Sequence, residues 1–279
     1  MTVLRLGAVG YLNARPLVHG LALSPRFALR YDVPSECARL LHEGTIDLGL
    51  IPSIEYLRGG PYAIVPDLAI ASRGPVASVA LYTTRPMEDV RSIAMDTSSC
   101  TSVALVSVLC ARLFKIAPLL EPHGPDLDGM LEQSDAALII GDNALLLDHT
   151  RVPLTTAATP TPASRRPQSA IEKIDLGEAW TAMTGLPFVY AFWAGRPGAA
   201  TAADVEALQR ARNAGVTQSE TIAREYFPDS LVRQAAGARY LRDNIKYYLG
   251  DDERAGLEAF YRYAAEAGVV SDAGALRFF

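Results

Sequence analysis

Cysteine is scarce: Cys37, Cys100 and Cys110 are an odd number with no CxxC spacing. That argues against a disulfide framework or a zinc site, and each thiol is expected to be a small core residue. An excess of positive charge is also missing. At a formal net charge of -5, the chain has no composition for a basic face, so nucleic acid is not an expected partner. Long apolar runs are absent too: the longest candidate, "AALIIGDNALLL", is broken by Gly141, Asp142 and Asn143, well short of the roughly twenty residues that span a bilayer. The opening "MTVLRLGAVGYLNARPL" lacks the basic start, apolar stretch and cleavage site of a secretory leader. The expectation is a cytoplasmic protein with no membrane association.

The common catalytic and cofactor signatures are missing as well. No G-x-G-x-x-G, G-x-x-x-x-G-K-[ST] or G-x-S-x-G occurs, and His19, His42, His123 and His149 are scattered without H-E-x-x-H spacing. "EPHGPDLDG" carries Glu121, His123, Asp126 and Asp128 but lacks the other positions of a calcium loop and is expected to be a turn. His42, on the polar side of a helix, is expected to face solvent. No metal and no cofactor is implied.

What is present is a repeated strand–helix grammar in 279 residues that are 49% hydrophobic. "VLRLGAVG", "LRYDVP" and "IDLGLIPSIEYL" predict strands, separated by the helical spacing of "YLNARPLVHGL" and "SECARLLHEG". A second round begins at "VASVALYT" and "SIAMDT", continues through the helix "SSCTSVALVSVLCARLF", and ends in the strand "ALIIG". After "FVYAFWAG" the chain is helical, with Thr201 a cap for "TAADVEALQRARNAG" and Leu257, Phe260, Tyr261 and Ala264 on one face. Such an order predicts an α/β protein of two lobes with a ligand cleft between them, joined by two crossover strands. Lobe 1 would comprise residues 1–83 and 187–279 and lobe 2 residues 84–186, with a Thr- and Pro-rich surface loop over about 150–170.

Ligands of such sheets sit at the carboxyl ends of strands, beside helix N-termini. That rule selects Tyr11, Asn13, Ser53, the cluster Thr97, Ser98, Ser99, Thr101, Ser102, and Asp142 with Asn143. None is basic, so an anion would be held by N–H groups, hydroxyls and an amide. The hydroxyl cluster, Ser53, Asn13 and Asp142 have a plainer alternative as helix caps: Asn13 stands three positions before Pro16, and Asp142 follows the strand "ALIIG". From the residues alone the reading ends at a two-lobed binder of a small anionic molecule.

"GYLNARPL", "IDLGLIPSIEYL", "SSCTSVALVSVL", "IIGDNAL" and "IDLGEAWTAMTGLPFVYAFWAGR", in this order along the whole chain, resemble the chorismate dehydratase family of the futalosine route to menaquinone. The resemblance implies a type II periplasmic-binding-protein-like fold, a cytoplasmic and cofactor-independent lyase, and chorismate as a small-molecule substrate, converted to 3-[(1-carboxyvinyl)oxy]benzoate and water. It also implies that Asn13 matches the family's active-site asparagine and Ser78 an active-site serine. Tyr11, Ser53, Ser99, Thr101 and Ser102 are expected to contact substrate, with Asp142 on the opposite wall. A monomer or weak homodimer is expected. The alternatives are a small-carboxylate solute-binding protein and a sister enzyme acting later in the same pathway.

Overall fold

In the computed structural model, which describes residues 3–148 and 171–279, the apolar runs become the strands of two sheets. The chain begins with β1 (Leu4–Val9), a 3-10 helix (Leu12–Val18), β2 (Phe27–Asp32), α1 (Pro34–His42), β3 (Leu48–Pro52), α2 (Glu55–Arg58), β4 (Ala63–Ile64) and β5 (Ile70–Ser72). It continues through β6 (Val79–Thr83), β7 (Ser92–Asp96), α3 (Cys100–Leu109), β8 (Leu119–His123), α4 (Leu127–Gln133), β9 (Ala136–Ile140) and α5 (Gly141–Leu146). Then follow β10 (Glu172–Asp175), α6 (Leu176–Thr184), β11 (Phe188–Gly195), α7 (Ala202–Gly215), α8 (Ser219–Tyr226), α9 (Leu231–Arg239), a π-helical turn (Tyr240–Asn244) and α10 (Asp251–Glu266).

The first sheet has the order β2-β1-β3-β11-β4, with β5 also on β11, and the second the order β10-β6-β9-β7-β8. β1 pairs in parallel with β2 and β3, as β7 does with β8 and β9. Crossover connections through helices produce this pattern. The strand on which the chain enters the second sheet and the strand on which it returns to the first run the other way: β6 is antiparallel to β9, and β11 is antiparallel to β3. Both are buried along their length. Along β6 alternate residues serve different cores: Val79 and Leu81 join the main core, whereas Ala80 and Tyr82 face a smaller one with Leu127 and Met130. This is the period-two alternation of a strand covered on both faces.

Two expectations need correction. "LEPH" is not a turn: Leu119–His123 forms an edge strand, and α4 starts just beyond Asp126. His42 does not stand in solvent; its ring lies 2.7 Å from the Tyr62 hydroxyl and 3.1 Å from Glu55. The three cysteines are free, Cys37 and Cys110 buried and Cys100 half-buried. Burial pushes the thiols up, Cys37 to about 12 and Cys100 to about 11, so they are unreactive side chains of the interior. The stretch over 150–170 lies outside the described residues.

The helical half is fastened to the first sheet by a buried ion pair. Arg26, just before β2, grips both oxygens of Asp204 at 2.7 and 2.6 Å, while Asp204 also closes the capping box of α7 with Thr201. The Asp204 side chain is 4% exposed, and the Arg26 hydrogen bonds hold its carboxyl well below the usual carboxylate range. A depressed pKa contributes stability that is present above the unfolded value, about 3.9, and is lost as pH falls through the folded one. Acidifying from about pH 5 to about pH 3 is therefore expected to lower the melting temperature more in the wild type than in Asp204→Asn, as calorimetry would read. Equal acid sensitivity would show that this pair does not carry the effect.

Among the described residues no helix is long and apolar enough to cross a membrane.

Candidate active site

The end of β1 runs directly into the 3-10 helix, and this turn decides what Asn13 can do. Tyr11 occupies the cap position and makes no side-chain cap bond, while Asn13 lies inside the first turn. Asn13 is thus no helix cap. Its Oδ1 is buried without a partner among the described residues, and an unpaired buried acceptor costs about 1–3 kcal/mol, which a ligand's O–H or N–H would recover.

Asn13 lines a cavity between the two sheets, together with Tyr11, Ser78, Ser99, Ser102 and Tyr190 among its polar residues. Val9, Pro52, Ile70, Val79, Ile140 and Gly141 contribute to its apolar wall. Among the described residues no charged side chain takes part in the lining.

The hydroxyls are arranged differently along α3. Ser99 holds the cap position of α3 but makes no cap bond; instead its Oγ accepts from Ser102 at 3.2 Å. Both face the cavity, beside the first-turn N–H groups of a ten-residue helix, whose dipole favours an anion. Ser98 turns away, donating to Asp96 at 2.6 Å and accepting from Tyr11 at 3.3 Å. Burial pushes the Tyr11 phenol up, so it stays neutral at ordinary pH.

Ser53 and Thr101 are not brought to the cavity wall. Ser53 donates to the carbonyl of Val189 at 2.8 Å, and Thr101 accepts from the N–H of Ile54 at 3.1 Å. These fully buried hydroxyls form a seam that fixes the first turn of α3 against the end of β3.

Asp142 is likewise outside the lining, while its neighbour Gly141 is within it. The carboxylate accepts from the N–H of Leu12 at 3.2 Å and from the Tyr226 hydroxyl at 2.5 Å. Burial pushes its carboxyl up. Asp142 therefore ties α5, at the end of the second sheet, to the 3-10 helix and α8, which belong with the first.

Gly141 itself has φ +66°, and a Cβ there would meet the Tyr11 ring at 2.8 Å. Gly198 shares a positive φ, +80°, with open space around it. Alanine at either position is expected to cost about 1–3 kcal/mol of stability for the left-handed backbone, read by urea unfolding. Only Gly141→Ala should also weaken ligand binding in calorimetry; equal affinity in both variants would show that Tyr11 can move without consequence.

Ser78 sits where the chain crosses from the first sheet to the second. The residue before it, Ala77, has φ +66°, an uncommon conformation for a residue with a Cβ. Asp175 enforces it: its two oxygens accept the N–H groups of Val76 and Ala77 at 3.0 and 2.6 Å. The same carboxylate caps α6 through Gly177 and Glu178. Lys173 donates to the Ala77 carbonyl at 3.2 Å, and the Ser78 carbonyl accepts from the N–H of Gly141 at 2.8 Å. Sequence reading missed Asp175, Tyr190 and Tyr240 at this site. The only signal was the motif "IDLGE", which contains Asp175 without stating what it holds.

Among the described residues no group of three or more His, Cys, Asp or Glu side chains is placed to hold a metal ion.

Two sheets, two antiparallel crossings and a cavity lined from both sides define a two-lobed binding scaffold. The alkanesulfonate-binding protein of Xanthomonas axonopodis pv. citri shares it, with a TM-score of 0.64 at 15% identity, over 98% of this chain and 96% of that one. So does a Candida albicans protein described as having the generic periplasmic binding protein fold, with a TM-score of 0.60 at 12% identity, over 98% of this chain and 92% of that one. The fold is that of type II periplasmic binding proteins. More specifically, residues 4–266 match the menaquinone biosynthesis family, and the chain belongs to it. It is 34% identical to the chorismate dehydratase of Thermus thermophilus over 262 residues, 91% of this chain and 93% of that protein.

Proposed function

We propose that the protein is a chorismate dehydratase, a hydro-lyase that converts chorismate to 3-[(1-carboxyvinyl)oxy]benzoate and water. The observation that carries this reading is a chain-length likeness to such an enzyme combined with an uncharged cavity in which Asn13 offers an unpaired acceptor beside Ser78. Chorismate brings two carboxylates and one hydroxyl. The first turn of α3, with Ser99 and Ser102, suits a carboxylate; Asn13 Oδ1 suits a substrate O–H.

The reaction removes the ring proton beside the enolpyruvyl ether and expels the neighbouring hydroxyl, leaving an aromatic ring. An amide is far too weak a base for that proton, and Ser78 has no basic partner among its contacts. The substrate's own enolpyruvyl carboxylate takes the proton in this proposal. The electron pair of the broken C–H bond forms the ring double bond as the hydroxyl leaves, and proton and hydroxide depart as water. Asn13 and Ser78 hold the carboxylate and the leaving hydroxyl in position, an arrangement whose proximity alone can lower the barrier by several kcal/mol.

Mixing purified protein with chorismate tests this directly. Ultraviolet absorbance should report the aromatic product, and mass spectrometry the loss of one water. Chorismate that is bound but left unchanged by folded protein would favour a small-carboxylate binding protein instead.

A further inference from the structure

The hydroxyl of Tyr240 meets Ser78, one of the two residues assigned to the chemistry, although it lies 162 positions from it. It is 2.7 Å from Ser78 Oγ, and Asn13 lines the same cavity as Ser78. Tyr240 is 2% exposed and Ser78 1% exposed, so water cannot substitute for either partner.

The direction of this bond follows from proton counting. Burial raises the Tyr240 phenol well above its ordinary range, so it keeps its one proton, and among the described residues the acceptor within reach is Ser78 Oγ. The Ser78 oxygen accepts that hydrogen bond and turns its own proton towards the cavity that it lines.

We infer that Tyr240 is a positioning residue that sets the polarity of Ser78: Tyr240 O–H to Ser78 O–H, ending in a donor aimed at the substrate. Asn13 and Ser78 are then complementary. Asn13 Oδ1 faces the ligand as an acceptor, and Ser78 faces it as a donor, which suits the departing hydroxyl oxygen. The π-helical turn Tyr240–Asn244, which continues α9, places the phenol there, and such bulges are frequent at functional sites.

The inference rests on the dehydratase reading for its kinetic test, which is a double-mutant cycle of Tyr240→Phe and Ser78→Ala with chorismate. Tyr240→Phe should lower kcat about tenfold or more with KM nearly unchanged, because orientation of the donor matters most in the transition state. The double variant should be no slower than Ser78→Ala alone, because Tyr240 acts through Ser78. Wild-type kcat in Tyr240→Phe, or additive losses in the double variant, would overturn the inference while leaving the dehydratase reading intact. Failure of the wild type to convert chorismate would instead sink that reading. Urea unfolding of the same four proteins then still reads the link: non-additive midpoints are expected, and additive ones would overturn it.

Discussion

Asn13→Ala is expected to lower chorismate turnover by about a hundredfold or more, since misplacing a reacting group by an ångström costs on that order. Stability should change by no more than about 1 kcal/mol, because Asn13 Oδ1 has no partner to lose among the described residues. The separation of the two effects is the point of the experiment. A cap would show the reverse, a loss of stability with turnover intact. Steady-state kinetics and urea unfolding on one preparation distinguish them, and undiminished turnover with wild-type affinity would remove Asn13 from the chemistry.

The largest loss of stability is expected at Trp180→Ala, about 3–5 kcal/mol by the usual cost of emptying an aromatic site. Trp180 is fully buried in α6, its Nε1 donates to the Pro187 carbonyl at 3.1 Å, and it packs edge-on against Phe188 and Phe260 at 5.2 and 6.1 Å. The contacts matter because α6 and the turn to β11 are where the chain returns to the first sheet. Against a typical total of about 5–15 kcal/mol, the variant keeps only part of its margin. Denaturant unfolding reads this, and a loss below about 1 kcal/mol would show that the aromatic cluster does not hold the return crossing.

Much of this architecture was legible because strands buried on both faces leave an unmistakable mark. "LGLIP", "VALYT" and "FVYAFWAG" each form a buried strand where expected. "LLEPH" was not legible: it is an edge strand with half-buried and exposed residues, so nothing enforces an apolar pattern. The direction of β6 and β11 was not legible either. Composition marks a buried strand, but not which way its neighbours run.

The site divides along the same physical line. Asn13, Ser78, Ser99 and Ser102 were legible as polar residues at strand ends or through the family motifs, and the structure gathers them around one cavity with Tyr11. Ser53, Thr101 and Asp142 looked equivalent in sequence, yet their oxygens are taken by Val189, Ile54, Leu12 and Tyr226. Tyr240 and Asp175 gave no local sign of their part, because Asp175 meets Ala77 98 residues away and Tyr240 meets Ser78 162 residues away in the chain.

The sequence by itself determined the elements, the two-lobed α/β class and the polar inventory, because burial and periodicity are properties of short segments. Only the tertiary structure decided which hydroxyl faces the ligand and which is consumed by the protein. A hydrogen bond goes to whatever group the fold brings within about 3 Å, and that group is set by chain crossings far from the residue itself.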